Sequence, residues 1–80
     1  MSEDIVIPQF GETADEEVVI TKWRKKEGQK VDKGEILLDL EIAKGVMELE
    51  SLYTGTLVEI LVAENETTYP LRVVGRIRTD

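Results

Sequence analysis

Lys44 lies in a short segment, residues 41–45, between two stretches whose apolar residues alternate with other residues. The alternating apolar residues are Ile36, Leu38, Leu40 and Ile42 before the segment and Met47 and Leu49 after it. This spacing is typical of half-buried strands and predicts a β-hairpin with Lys44 at its tip. Ala43 and Lys44 do not readily adopt the positive φ of the mirror-image hairpin turns, so we expect a type I turn that ends at Gly45. A lysine presented on such a turn is suited to covalent attachment.

The composition excludes several kinds of chemistry. The chain has 80 residues, enough for one domain that buries roughly 60% of the surface exposed by its unfolded form. It contains no cysteine and no histidine. The sequence therefore lacks a thiolate metal site, a cysteine nucleophile and the residue that most often acts as a general base.

The net charge and the first residues limit the classes of partner. Seventeen acidic and ten basic side chains give a net charge of −7, the wrong sign for binding a phosphate backbone or an anionic membrane. No apolar run approaches the ~20 residues of a membrane span, and the first four residues do not resemble a secretory signal. We expect an acidic protein that meets basic partners, with no nucleic-acid or membrane partner. The expected location is the cytoplasm, or the mitochondrial matrix in a eukaryote.

Short strand-like segments separated by turn signals run along the whole chain and predict an all-β fold. The predicted strands are residues 4–8, 17–24, 35–42, 46–51, 55–62 and 71–77. Residues that favour turns mark the breaks between them, namely Pro8, Gly11, Gly28, Gly34, Gly55, Asn65 and Pro70.

The two halves of the chain are weakly similar. A shift of 37 residues aligns Ile20 with Leu57, Trp23 with Ile60, Glu27 with Glu64, Gly28 with Asn65, Val31 with Thr68, and Ile36 with Val73. The repeat predicts two similar antiparallel sheets packed face to face as a small flattened barrel or sandwich with pseudo-two-fold symmetry. Gly28 and Asn65 would occupy equivalent left-handed turns. The counterpart of the Lys44 hairpin would be the pair of chain termini, at the opposite end of the molecule.

Several motifs resemble a known family over residues 3–78. They are Ile7-Pro8-Gln9-Phe10-Gly11-Glu12-Thr13, Thr21-Lys22-Trp23, Lys26-Glu27-Gly28-Gln29-Lys30-Val31, Glu35-Ile36-Leu37, Met47-Glu48-Leu49-Glu50-Ser51 and Gly55-Thr56-Leu57 with Ile60. The chain resembles the lipoyl domain of the dihydrolipoamide acyltransferase (E2) component of 2-oxo acid dehydrogenase complexes. That family usually has Asp-Lys-Ala at the hairpin tip, whereas this chain has Ala43-Lys44-Gly45.

The resemblance implies a cofactor and a set of recognition residues. Lipoate would be attached to Lys44 through an amide bond. The lipoylating enzyme would read Glu41, three residues before Lys44, together with Gly28 and Gly55, sixteen before and eleven after it. The decarboxylase would recognise the loop beside the hairpin and the two residues that flank the lysine. These partner-recognition residues are Gly11, Glu12, Thr13, Ala14, Asp15, Glu16, Ala43 and Gly45.

The resemblance also implies a carrier with no catalytic centre of its own. Its partners would be a lipoate ligase or lipoyl transferase, the 2-oxo acid decarboxylase (E1), the acyltransferase catalytic domain and dihydrolipoamide dehydrogenase (E3). No linker or catalytic domain follows Asp80 in this sequence, and we interpret residues 1–80 as a single carrier domain excised from the N-terminus of a larger acyltransferase, with a free-standing carrier as the alternative.

Two alternatives remain open. A biotinyl carrier domain of a carboxylase usually has methionine on both sides of its lysine, and Ala43 and Gly45 disfavour it. An unmodified interaction module of the same fold would explain the unusual tip by loss of attachment. The ligase that labels Lys44 distinguishes the first alternative, and the intact mass of the native protein distinguishes the second. Residues 64–71 lack the glycines usual in the family, so their turn conformations are left open.

Overall fold

The computed structural model describes residues 1–11 and 15–79, and these residues form eight strands and no helix. The strands are β1 (Ser2–Val6), β2 (Val18–Trp23), β3 (Lys30–Val31), β4 (Ile36–Ile42), β5 (Gly45–Glu50), β6 (Gly55–Ile60), β7 (Thr67–Thr68) and β8 (Val73–Arg78). The all-β prediction is confirmed. The six predicted strands are present, with bounds that differ by a few residues, but β3 and β7 were not predicted because a two-residue strand has no measurable period.

The strands form two antiparallel four-stranded sheets. One sheet has the order β1-β8-β6-β3, and the other, which carries Lys44, has the order β5-β4-β2-β7. Alternate residues of both sheets enclose one aliphatic core, as expected for two half-buried sheets. The buried apolar residues are Ile5, Ile7, Val18, Ile20, Val31, Leu37, Leu38, Leu40, Ile42, Leu57, Val74 and Ile77.

The predicted half-repeat is confirmed in the backbone. Strands β2, β3 and β4 each begin 37 residues before β6, β7 and β8, respectively. Gly28 has a φ of 90° and donates its N–H to the Leu57 carbonyl at 2.7 Å, while Asn65 has a φ of 69° and donates to the Ile20 carbonyl at 2.6 Å. These two turns are equivalent, and both need a left-handed residue, which glycine and asparagine adopt at low cost.

The same symmetry extends to side chains that join the halves. The Ile60 N–H donates to Glu27 Oε2 at 2.8 Å, and in the equivalent bond the Trp23 N–H donates to Glu64 Oε1 at 2.9 Å. Each glutamate belongs to one half of the repeat and accepts a hydrogen bond from the backbone N–H of a strand residue in the other half. The acidic residue shared by the two halves of the sequence therefore has a structural role at both positions.

The molecule has two ends that the half-repeat relates to each other. We call the end that bears Lys44, after β4, the lysine end. The terminal end is where Thr79 donates to the Met1 carbonyl at 2.6 Å and the Met1 ammonium donates to the Thr79 carbonyl at 2.8 Å. Gly34 lies just before β4, hydrogen-bonded to Ser51 at the far end of β5. The seven residues of β4, about 23 Å of strand, therefore separate the two ends.

Candidate functional site

The hairpin tip is a two-residue turn. Ile42 of β4 pairs with Gly45 of β5, which leaves only Ala43 and Lys44 in the turn. The described residues other than glycine with positive φ are Asn65 and Leu71, so φ is negative at both turn positions. Negative φ at both excludes types I′, II and II′ and agrees with the expected type I turn.

Gly45 completes this turn with a backbone conformation that suits glycine. Its φ is 143°, within the region that side-chain-bearing residues rarely adopt. A type I turn does not match the right-handed twist of the flanking strands as well as the mirror-image turns do. Alanine, which the related domains usually carry at this position, would be strained in this conformation.

The base of the turn is rigid, whereas the lysine is free. Leu40 and Ile42 are buried against the core, but Ala43 and Lys44 are exposed. Among residues 1–11 and 15–79, no side chain forms a salt bridge with Lys44. The Lys44 ammonium is therefore available for attachment chemistry, and the strands below it fix where an attached group begins.

The outer face of the hairpin brings Glu41 to the base of the turn. Glu41 lies opposite Val46 on β5 and Val19 on β2, and it is exposed. Val46 is 67% exposed, so the lysine has an acidic and an apolar neighbour on the same face. An enzyme that approached Lys44 from this side would meet both side chains.

The segment before β2 reaches the lysine end. Continuing the pairing of Val19 with Glu41 by two residues places Glu17 beside Ala43. Gly11 lies close to Glu16, because a Cβ on Gly11 would be 3.3 Å from Glu16 Oε2. The described parts of the predicted recognition loop, Gly11, Asp15 and Glu16, thus lie at this end. Glu12, Thr13 and Ala14 are outside the described residues.

Gly28 and Gly55 are not close to Lys44. Gly28 forms the left-handed turn before β3 at the edge of the other sheet. Gly55 lies at the terminal end, where it pairs with Val31 and where a Cβ would overlap the carbonyl oxygen of Arg78. Both glycines are thus explained by backbone geometry. Of the three residues predicted for ligase recognition, only Glu41 shares the lysine end.

Comparison with known proteins agrees with this geometry. The biotin/lipoyl family model, described as "Biotin-requiring enzyme", matches residues 3–77. The solution structure of the lipoyl domain of the 2-oxoglutarate dehydrogenase complex from Azotobacter vinelandii superposes with a TM-score of 0.77 at 30% identity, covering 95% of each chain. The chain belongs to the lipoyl-domain family. Lipoyl domains are small carrier domains without a catalytic centre of their own, and this chain has that role.

Two curated relatives of the lipoyl domain are similar over nearly its whole length. The dihydrolipoyllysine-residue succinyltransferase components of the 2-oxoglutarate dehydrogenase complexes of Haemophilus influenzae and Rickettsia bellii are 34% and 39% identical to it. The matches cover 99% and 96% of this chain and 19% of each relative. The chain therefore spans about a fifth of the length of these relatives.

Sequence reasoning missed one part of the lysine end, the turn at residues 69–72. Strands β7 and β4 both run antiparallel to β2, so β7 leads toward the same end as β4. Tyr69 and Leu71 follow β7 and are 39% and 58% exposed. Together with Asp15, Pro70 and Arg72 they surround a shallow surface depression. The half-repeat could have found this turn, because it is 37 residues after the turn that contains Gly34.

The described residues of the lipoyl domain offer no metal site and no membrane-spanning helix. No group of three or more acidic, histidine or cysteine residues among them is arranged to hold a metal ion. No helix long and apolar enough to cross a bilayer occurs within residues 1–11 and 15–79.

Proposed function

We propose that Lys44 carries lipoate through an amide bond and that the domain is the swinging-arm carrier of a 2-oxo acid dehydrogenase complex. The observation that carries the proposal is the position of Lys44, in a two-residue turn of a lipoyl domain at the end of the largely buried strand β4. When attached, lipoate supplies a disulfide-containing ring that takes up acyl groups and reducing equivalents. The chain's own residues provide the rigid base and leave the arm free to move.

The residues of the lysine end fit an attached lipoate. The amide bond would form between Lys44 Nζ and the carbonyl carbon of lipoate that the ligase has joined to AMP from ATP with release of pyrophosphate, and AMP and a proton would leave as the bond forms. It removes one positive charge and takes the formal net charge from −7 to −8. Because no described side chain forms a salt bridge with Lys44, attachment breaks no ion pair that holds the fold together.

Recognition by the lipoate ligase or lipoyl transferase is proposed to involve Glu41 directly and Gly28 and Gly55 indirectly. Glu41 is exposed at the base of the hairpin, within reach of an enzyme bound at Lys44. Gly28 forms a left-handed turn beside the other sheet, and Gly55 allows β6 to approach the backbone of Arg78 within that sheet. Their replacement should affect lipoylation only as far as it disturbs the fold.

The remaining proposed partners act in turn on the arm. The 2-oxo acid decarboxylase loads it, the acyltransferase catalytic domain unloads it and dihydrolipoamide dehydrogenase reoxidises it. A tether raises the effective concentration of the arm at each active site to the mM range. The loop at residues 11–16, with Ala43 and Gly45, is proposed to identify this carrier to the decarboxylase. The proposed location is the cytoplasm, or the mitochondrial matrix in a eukaryote, and the proposed parent chain is a dihydrolipoamide acyltransferase.

Intact-mass analysis after incubation with lipoate ligase, ATP and lipoate tests the attachment. We expect one lipoyl group on the wild type, none on Lys44→Arg, and one on Lys33→Arg, which changes an exposed lysine outside the hairpin. A lipoyl group on Lys44→Arg would reject the site. Efficient labelling of the wild type by a biotin ligase, with poor labelling by the lipoate ligase, would favour the biotinyl alternative instead.

A further inference from the structure

The same turn occurs at both ends of the molecule, but with different residues. At the terminal end Gly34 has a φ of 93° and donates its N–H to the Ser51 carbonyl at 2.8 Å. At the lysine end Leu71, 37 residues later, has a φ of 69° and donates to the Ile7 carbonyl at 2.7 Å. The fold thus requires a left-handed residue at both positions. Glycine meets that requirement at the terminal end, and leucine meets it at the lysine end.

Packing within the domain does not explain the leucine. A leucine in the left-handed conformation is strained, because its Cβ approaches the following carbonyl oxygen. The Leu71 side chain is 58% exposed, so the domain recovers little of this strain by burying it. Backbone strain of this kind persists mainly where another requirement maintains it, often at a binding surface.

The position of Leu71 indicates what that requirement is. Its turn and the Lys44 turn leave the same sheet at the same end, with only β2 between their strands β7 and β4. Two strand spacings, about 10 Å, therefore separate the two strands. An enzyme that takes the arm on Lys44 into its active site covers this end of the domain. The equivalent Gly34 lies at the other end, where no such contact is needed.

The charges at the lysine end indicate which kind of enzyme surface would be complementary to it. Residues 15–17, 41–45 and 69–72 include four acidic side chains and two basic ones, Lys44 and Arg72. Acylation of Lys44 leaves Arg72 as the basic side chain of these segments. The complementary surface is an apolar depression, which receives Leu71 and the ring of Tyr69, bordered by basic side chains.

We propose that Leu71, with Tyr69 beside it, is an apolar contact by which the 2-oxo acid decarboxylase recognises this domain. The inference rests on the proposed function. The decarboxylase delivers an acyl group specific to the complex, so it must distinguish its own carrier. Dihydrolipoamide dehydrogenase oxidises the same dithiol whichever acyl group has been carried, and it needs no such discrimination.

The test is the steady-state kinetics of acylation of the lipoylated domain by the decarboxylase of the same host. Leu71→Gly removes both the side chain and the strain, while Leu71→Ala removes the side chain and keeps most of the strain. Leu52→Ala is the matched control, since Leu52 is 71% exposed and follows β5 at the terminal end. We expect both Leu71 variants to raise KM on the order of tenfold, the effect of losing one buried leucine contact.

Three further readouts separate a contact from a structural effect. The kcat of the decarboxylase, the rate of lipoylation and the rate of reoxidation by dihydrolipoamide dehydrogenase should stay within twofold in all variants. Leu71→Gly should unfold at a higher urea concentration than the wild type although its KM is raised, so that recognition and stability change in opposite directions. Leu52→Ala should leave KM unchanged.

The inference is overturned if Leu71→Gly and Leu71→Ala retain the KM of the wild type, or if Leu52→Ala raises KM as much as they do. An equal loss in reoxidation would transfer the contact to dihydrolipoamide dehydrogenase and also reject the proposal as stated. A lipoylated wild type that no decarboxylase acylates would instead reject the proposed function, and with it this inference. The two failures are therefore distinguishable.

Discussion

The lysine end and the terminal end are built from equivalent strands and turns, yet equivalent positions carry different residues. The turn before β4 places glycine at its left-handed position, and the turn before β8 places leucine there. A continuous hairpin joins β4 to β5 at one end, while two chain termini pair at the other. The left-handed position near Lys44 thus departs from the glycine found at its equivalent. In a repeated fold, such departures distinguish residues kept for function from residues kept for folding.

A second difference concerns the residue that follows the left-handed position. At the terminal end Glu35 accepts a hydrogen bond from the Asp32 N–H at 2.7 Å and another from the Lys25 ammonium at 3.0 Å. The equivalent residue at the lysine end is Arg72, which cannot accept hydrogen bonds. The terminal end closes its turn with its own side chains, whereas the lysine end leaves an exposed cation beside Leu71. The terminal end is therefore the more self-contained of the two.

The largest expected effect is at Gly55, which lies against the backbone of Arg78 at the terminal end. A Cβ at this position would overlap the Arg78 carbonyl oxygen, so Gly55→Ala forces β6 and β8 apart. We expect a loss of about 3 kcal/mol in the free energy of unfolding, measured by urea denaturation. Gly28→Ala is the control, because no atom lies within 4 Å of its added Cβ. Gly28 has positive φ and Gly55 does not, so a loss in Gly55→Ala no larger than that in Gly28→Ala would show that the close approach to Arg78 costs no more than left-handed strain and would contradict this prediction.

The structural equivalence of the two halves can be tested by substitutions at their left-handed turns. Replacing Gly28 or Asn65 with valine puts a β-branched residue at positive φ. Each change should reduce the free energy of unfolding by roughly 1–3 kcal/mol. Asn65→Gly should have little effect, since glycine adopts this conformation freely. Wild-type stability in both valine variants would contradict the equivalence.

Much of this fold was predictable from sequence, and the parts that were not have physical reasons. Alternation around Lys44 predicted the hairpin, and the poor tolerance of Ala43 and Lys44 for positive φ predicted its type I turn. The half-repeat predicted Gly28 and Asn65 because both residue types favour the left-handed region. The left-handed conformation of Leu71 was not predicted, because leucine rarely adopts positive φ and its sequence neighbours give no sign of it. The half-repeat could have located the turn that contains Leu71, but its closeness to Lys44 follows from the pairing of β7 with β2, which the sequence did not predict.

An exchange of residues between the two equivalent turns sharpens the comparison. Leu71→Gly should raise the free energy of unfolding by about 1 kcal/mol, because the relief of left-handed strain exceeds the entropy that glycine gains in the unfolded chain. Gly34→Leu should lower it by about 1–2 kcal/mol. Urea denaturation of the two single variants provides the measurement. If Leu71→Gly were the less stable protein, the leucine would be held by packing and its exposure would be misleading.

The smallest expected effect is a difference in acid sensitivity between the two ends. The hydrogen bond from the Asp32 N–H, followed by that from Lys25, lowers the pKa of Glu35. A carboxyl whose pKa is lower in the folded state stabilises the fold above its unfolded pKa, and that contribution is lost as the pH falls through the folded value. Glu35→Gln should therefore reduce the loss of stability on acidification, measured as the urea midpoint at several pH values. Arg72→Gln, at the equivalent position, should leave that pH dependence unchanged, and parallel curves for all three proteins would refute the difference.

The most direct test of the central claim is transfer of a labelled acyl group from a 2-oxo acid to the purified domain, catalysed by the decarboxylase of the same host. If the lysine end is the working end of a lipoyl carrier, label should appear on the lipoylated wild type. It should be absent from the unlipoylated protein and from Lys44→Arg, and it should persist in Lys33→Arg. Labelling that does not depend on Lys44, or a lipoylated wild type that accepts no acyl group, would contradict the account.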